Sequence, residues 1–288
     1  MNANNVPDGD IDFLFRTPDE PDIPDTRALA EHIRAFTAYA RAFYTADPAD
    51  DQHLDLKITH SRNVLGHACA IARAERVFTE DSGLGAALKL AGLYHDLGRF
   101  PQYARYKTFS DPQSVNHAHL SVRELKRTGL LAGEDRRVQR LALAAIVTHN
   151  RVALPRTLER DALAVSLAVR DADKLDIMRI MAEHLTADGP PDPVVVLQAE
   201  KSPRVSPAIL RAVMARRLAL YKDLRTTTDF TLLVCAWLYD CNYAWSRREA
   251  VASGFLARLV ASLPRTPELG GFIRQFTADM AACADAPA

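Results

Sequence analysis

The sequence lacks features that would tie the chain to a membrane or to a polyanion. Its longest apolar run, FTLLVCAWLY at 230–239, is shorter than the roughly 18 residues that a membrane-spanning helix needs. The 36 basic residues balance the 36 acidic ones, so no net charge favours a nucleic-acid polymer or an anionic lipid surface. Residues 1–25 are acidic and proline-rich, the opposite of a signal peptide. We therefore expect a soluble, cytoplasmic protein.

Cysteine frameworks and strand patterns are also missing. The four cysteines, at positions 69, 235, 241 and 283, show no CxxC spacing, which predicts small core residues in a reducing compartment. Sustained alternation of polar and apolar residues is nearly absent, and only PVVVL at 193–197 looks like a short strand. The sequence thus gives little support to a disulfide-rich or a β-rich fold.

Helical patterns fill most of the chain. Apolar residues recur at steps of three and four, which predicts helices over 25–46, 58–78, 83–98, 116–129, 134–150 and 159–189. Three prolines interrupt the pattern at 189–195, and further helices are predicted over 206–224, 229–263 and 268–283. We expect a flexible leader over 1–25 and one all-α domain over 26–288.

Residues suited to metal binding stand at particular places in this pattern. In the stretch LYHDLGRF, His95 and Asp96 end an apolar helix that Gly98 is expected to terminate. His60 is expected in the first turn of the helix before it, and RDADKLD at 170–176 puts charges into an otherwise apolar helix. Buried charge is costly unless it is paired or bound to a metal, and imidazole with carboxylate is a common ligand set for divalent ions. The sequence therefore favours a metal site inside the helical domain.

The order His60, His95-Asp96, Asp173 resembles the H…HD…D signature of the HD-domain superfamily of metal-dependent phosphohydrolases. The contexts HSRNV, YHDLGRF and ADKL agree with it over about 57–187, which would leave 190–288 as a helical extension. The string HDLGRFPQYARYKTFSDPQSVNHA is similar to a bacterial subgroup of HD proteins whose activity is unassigned. The resemblance implies an all-α bundle with a metal at its centre. The GYP motif of the cyclic-di-GMP phosphodiesterases of this superfamily is absent, which argues against that substrate.

The resemblance also implies the ligands. One metal would be held by His60, His95, Asp96 and Asp173, and a second, bridged by Asp96, by His117 and His149. Asp173 is preferred over Asp171, which would lie just outside the ligands, because Ala172-Asp173-Lys174-Leu175 matches the context of the family's aspartate. His119 competes with His117, and a mononuclear site in which His117 and His149 contact phosphate is the alternative. The expected cofactors are one or two divalent ions from among Mn, Ni, Co, Mg, Zn and Fe.

The expected reaction is hydrolysis of a phosphoester, in a nucleotide or another small phosphorylated metabolite, by metal-activated water. Asp96, Arg99 and Lys174 are the predicted catalytic residues, and Arg99, Arg105, Lys107 and Lys174 the predicted substrate contacts; simple surface charge is the alternative for the basic ones. The segment 99–116 is either a lid or a loop held by aromatic anchors. Two other functions stay open at this point, a di-iron oxygenase and a non-catalytic nucleotide sensor. A homo-oligomer is compatible with the sequence.

Overall fold

A computed structural model describes residues 27–190 and 192–284 of the chain, and within these ranges the fold is all-α, as predicted. The predicted leader over 1–25 lies outside the described residues. The helices are α1 (Arg27–Arg41), α2 (Pro48–Ala74), α3 (Arg76–Thr79), α4 (Ser82–Tyr94), α5 (Arg99–Tyr106), α6 (His117–Thr128), α7 (Arg136–Thr148), α8 (Arg160–Thr186), α9 (Pro207–Met214), α10 (Thr227–Ala236), α11 (Ala244–Ala252), α12 (Phe255–Ser262) and α13 (Pro267–Ala284).

Extended structure is limited to one isolated bridge in the described part of the chain, between Glu200 and Thr226. The strand-like stretch 193–197 forms turns instead. No helix in the described ranges is both long and apolar enough to cross a membrane.

Helix α2 begins ten residues earlier than the periodicity predicted. Asp47 caps it by accepting a hydrogen bond from the Ala49 amide, and Pro48 occupies the first turn together with acidic residues that suit the positive end of the helix dipole. His60 therefore lies near the middle of a long helix, and its predicted place in a first turn is wrong.

Two hydrophobic cores are arranged along α8. The first is formed by α1 to α7 and the amino-terminal half of α8, with α4 buried nearly all round because it packs against α2, α7 and α8. The second is formed by the carboxyl-terminal half of α8 and by α9 to α13. Cys69 is buried in the first core and Cys235 and Cys241 in the second, in line with their predicted role, while Cys283 is half-buried.

The carboxyl-terminal helices are shorter than predicted. The helix predicted over 206–224 ends at Met214, because Arg216 adopts a left-handed conformation with φ of 53°. The single helix predicted over 229–263 is three helices, separated by a 3₁₀ turn with a polar loop after it and by Gly254, whose φ is 76°. Apolar periodicity continues across these breaks, so it could not locate them.

The segment 99–116 contains helix α5 and a loop held by aromatic residues. Phe100, Tyr103 and Phe109 are all buried, and the Tyr103 and Phe109 rings pack 5.0 Å apart. Of the two interpretations from the sequence, the structure therefore favours the anchored loop over the lid.

Gly98 allows two helices to approach each other closely. Gly98 does not adopt the left-handed conformation that ends many helices, since its φ is −68°. The helix that was predicted to end at Gly98 ends four residues earlier, at Tyr94. A Cβ atom at this position would lie 2.4 Å from the His117 carbonyl oxygen and 2.6 Å from the Ser121 amide nitrogen. Only glycine fits against the backbone of α6 here.

We expect Gly98→Ala to lower the free energy of unfolding by about 2 kcal/mol or more, because an extra methyl group must displace backbone rather than a flexible side chain. Urea denaturation measures the loss. Gly133→Ala is the matched control, since a Cβ there meets nothing within 4 Å, and it should cost nothing. A Gly98→Ala protein as stable as this control would contradict the close approach.

Candidate metal centre

All six predicted ligands lie close together within the first hydrophobic core. They come from the middle of α2, the end of α4, the start of α6, the end of α7 and the middle of α8. The side chain of Asp173 is 18 % exposed, and the other five are buried: His60, His95, Asp96, His117 and His149. The most exposed member, Asp173, marks the side on which this cluster reaches solvent.

Four of these side chains surround one point. The Nε2 atom of His60 lies 3.1 Å from Nε2 of His95 and 3.2 Å from Oδ1 of Asp173. Oδ2 of Asp96 is 3.6 Å from the first of these nitrogens and 3.7 Å from the second. Ligand atoms bound to one ion at about 2.1 Å are separated by about 3.0–3.5 Å, so the spacing suits a shared cation.

A second group faces the other oxygen of Asp96. Oδ1 lies 3.3 Å from Nε2 of His117 and 3.9 Å from Nε2 of His149, and these two nitrogens are 3.0 Å apart. His119, two residues after His117 on α6, is exposed. Of the two histidines that the sequence left open, His117 is therefore the one that lies at the cluster.

The protonation of the four rings fits metal ligation. Each Nδ1–H donates to an oxygen: His60 to Asp176 at 2.7 Å, His95 to the Gly92 carbonyl at 2.8 Å, His117 to Asp111 at 2.7 Å and His149 to the Ile146 carbonyl at 2.7 Å. When the rings are neutral, every Nε2 then directs a lone pair at the cluster. Lone pairs about 3 Å apart repel each other unless a positive charge lies between them, so the donor set fits divalent cations.

Two carboxylates that orient these rings were missed at the sequence level. Asp176 also accepts hydrogen bonds from Asn63 at 2.8 Å and from Arg179 at 2.7 Å. Asp111 lies in a 3₁₀ turn and also accepts hydrogen bonds from the Gln102 side chain at 2.9 Å and the Asn150 side chain at 3.1 Å. A carboxylate behind a ligating histidine fixes its tautomer and raises its basicity. Asp176 stands one helical turn after Asp173 in RDADKLD, a spacing that could have indicated it.

Nearby cations keep Asp96 ionised. Burial alone would raise the pKa of its carboxyl, but the Lys57 ammonium 2.8 Å from Oδ2, together with His95, Arg99 and His117, outweighs that effect and holds the pKa well below its usual range. Lys57 is three residues before His60 and was not singled out in the sequence. Burial, followed by the charges of neighbouring histidines, lowers the pKa of His149 to about 3, so this ring is in the neutral form that binds metals.

The predicted basic residues are divided between the cluster and other places. Arg99 contacts Oδ1 of Asp96 at 3.3 Å and Asp111 at 3.1 Å, so it lies beside the ligands. Arg105 and Lys107 are exposed and contact Tyr106 and Asp50. Their roles toward a substrate stay predictions.

Lys174 and Asp171 are directed away from the ligands. The Lys174 ammonium pairs with Asp240 at 2.6 Å, and Asp171 accepts hydrogen bonds from Asn242 and Tyr243. The predictions that Lys174 is catalytic and that Asp171 lies just outside the ligands do not agree with these contacts. The helix period turns both side chains away from the face that carries Asp173.

One aromatic residue of the carboxyl-terminal half also lies near the cluster. Burial, then the negative charge of Asp173, raises the pKa of the Tyr221 hydroxyl, while Arg99 opposes the shift. Its ring is nevertheless 53 % exposed and contacts Phe230 edge-on. Tyr221 thus stands on the side where Asp173 reaches solvent.

Comparison with known proteins identifies the region that holds the cluster. Residues 58–178 match the family model of the HD domain, and this span contains all six predicted ligands together with Asp111 and Asp176. No curated protein and no solved structure matches the chain. The match ends within α8, before the carboxyl-terminal helices.

Asp176→Asn should weaken binding of Mn²⁺ by about 10- to 100-fold, because the amide cannot hold the His60 ring as a carboxylate does. Titration calorimetry on chelator-stripped protein measures the dissociation constant. Glu183→Gln is the matched control: it removes the other carboxylate partner of Arg179, one turn further along α8, and should leave the constant unchanged. Equal affinities of the two variants would rule out the role given to Asp176.

Proposed function

We propose that this protein hydrolyses a phosphoester by means of metal-activated water, because residues 58–178 match the family model of the HD domain. The proposed substrate is a nucleotide or another small phosphorylated metabolite. Its site is the buried cluster around Asp96.

The proposal rests on Asp96, whose two carboxylate oxygens face different groups of side chains. Oδ2 lies near His60 and His95, which both contact Asp173, while Oδ1 faces His117 and His149. The first set would hold one divalent ion and the second set another, with Asp96 shared between them. Ligand atoms of His60, His95 and Asp173 lie within 4.8 Å of one another, and so do those of His95, Asp96 and His149. Such ions supply Lewis acidity, which produces a nucleophile from water near neutral pH and neutralises charge on a phosphoryl oxygen.

The protein's own residues contribute orientation and positive charge. Lys57 and Arg99 both contact Asp96, and their side chains are 13 % and 14 % exposed, so they lie at the rim between the cluster and solvent. A phosphate that approaches past Asp173 meets these two cations, and positive groups fixed near a phosphoryl centre stabilise the charge that develops in the transition state. The proposal therefore assigns phosphate binding to Lys57 and Arg99. Burial of the remaining ligands keeps bulk water away.

Purified protein should contain up to two equivalents of divalent metal, and His117→Ala should lose one of them, since only the second group depends on that ring. Elemental analysis of protein purified without chelators gives the stoichiometry. His119→Ala is the matched control, because this histidine is exposed on the same helix two residues away. Loss of metal from the control, or two equivalents retained by His117→Ala, would contradict the second group. Iron as the bound metal would favour the oxygenase.

Chelator-stripped protein should be inactive on bis(p-nitrophenyl) phosphate and should recover when Mn²⁺ is added. Asp96→Ala should lower kcat/KM by about 100-fold or more even with Mn²⁺, because both ligand groups lose the carboxylate that they share. An assay of nucleotides and sugar phosphates that measures the release of inorganic phosphate then narrows the range of candidate substrates. Protein that binds Mn²⁺ and nucleotide but turns over no phosphoester would favour the sensor and sink the hydrolase.

A further inference from the structure

A loop from the carboxyl-terminal half contacts α8 at the segment that carries Asp173. This loop, residues 240–243, begins at the last residue of the 3₁₀ turn Trp237–Asp240 and ends just before α11. Oδ2 of Asp171 accepts hydrogen bonds from the backbone amides of Asn242 and Tyr243 at 2.8 and 2.9 Å, and Oδ1 accepts one from the Asn242 side chain at 2.8 Å. Asp171 is completely buried, so these three bonds satisfy a carboxylate that has no access to water.

The same loop holds α8 on the other side of Asp173. The Lys174 ammonium donates to the Asp240 carbonyl at 2.9 Å and pairs with the Asp240 carboxylate at 2.6 Å. Asp171 and Lys174 are three residues apart and so share one face of the helix, while Asp173 points from another face toward the histidines. The loop thus contacts α8 at Lys174, one residue after Asp173, and at Asp171, two residues before it.

Asp240 is also connected to the second ligand group. Its carboxylate lies 3.6 Å from the Arg170 guanidinium, which donates at 3.1 Å to the backbone carbonyl of His149. His149 follows the last residue of α7, where helix carbonyls have no partner within the helix. One carboxylate of the loop therefore pairs with Lys174, the neighbour of Asp173 on α8, and with Arg170, which contacts the His149 backbone.

We propose that the 240–243 loop is a clamp that positions Asp173 and His149, so that the carboxyl-terminal helices form part of the scaffold of the metal centre. Lys174 and Asp171 then act as positioning residues through α8. The inference rests on the metal centre of the proposed function. It assigns a role to a region that lies beyond the matched HD domain.

A loss of metal affinity tests the clamp in the full-length protein. Asp240→Ala removes the partner of Lys174 and Arg170 at a side chain that is 30 % exposed, and Asn242→Ala removes one bond to Asp171 at an exposed position. We expect Asp240→Ala to raise the Mn²⁺ dissociation constant about tenfold, the lower end of the effect of removing groups that orient metal ligands. Asn242→Ala should have a smaller effect of the same sign, because the two backbone bonds remain.

Asp279→Ala is the matched control. It removes a carboxylate that pairs with Arg216 at 2.9 Å and accepts a hydrogen bond from Tyr239 at 2.6 Å, two partners in the carboxyl-terminal half that lie outside α8. It should lower the melting temperature and leave the Mn²⁺ constant unchanged, which separates positioning from general stability.

The outcomes distinguish the clamp from the function on which it rests. A wild-type protein that binds Mn²⁺, with Asp240→Ala within twofold of it, overturns the clamp and leaves the phosphohydrolase intact. An equal loss of affinity in Asp240→Ala and Asp279→Ala also overturns it. A wild-type protein that takes up no Mn²⁺ overturns both. If wild-type protein binds Mn²⁺ without hydrolysing phosphoesters, the hydrolase fails, while weaker binding by Asp240→Ala still supports the clamp.

Discussion

The two oxygens of the Asp96 carboxylate face different pairs of histidine nitrogens in the middle of a helical bundle. A carboxylate removed from water needs positive charge nearby, and Lys57 supplies part of it at 2.8 Å. The surrounding Nε2 lone pairs, which repel one another, need positive charge as well. Divalent cations would satisfy both demands at once. Five helix segments must therefore meet within a few ångströms of one side chain, and much of the surrounding structure serves to hold them there.

Backbone geometry and hydrogen bonding meet this constraint together. The absence of a side chain at Gly98 lets the start of α6 pack against the turn between α4 and α5, and His117 lies within 3.3 Å of Asp96. Helix ends provide the carbonyl acceptors behind His95 and His149, while Asp176 and Asp111 provide carboxylates behind the other two rings. Every ring is thereby fixed in orientation and tautomer before any ion binds. Such preorganisation is what metal sites require of the groups behind their ligands.

The second core connects the carboxyl-terminal helices to the part of the protein that holds the predicted ligands. Helix α8 runs through both cores, so the helix that presents Asp173 to the ligands is packed on its later turns by α10 to α12. The contacts of the 240–243 loop with this helix place polar anchors where the two cores meet. A metal centre in the first core can then depend on the packing of the second.

Local chemistry determined a large part of this protein. The helical period and the capping residues were enough to predict an all-α fold, because these signals lie within one helix. The side chains that the structure brings together were predicted from the resemblance of His60, His95-Asp96 and Asp173 to the HD signature. Periodicity could not find the breaks at Arg216 and Gly254, which depend on backbone conformations that leave the apolar pattern intact.

Tertiary structure decided what depends on partners far apart in the sequence. Lys57 contacts Asp96 across 39 residues, and Asp176 orients His60 across 116. The helix period alone could not say whether His117 or His119 points inward, nor that Lys174 turns toward Asp240. Each of these choices depends on which helix packs against which face, and that is settled only when the bundle closes around the buried charge.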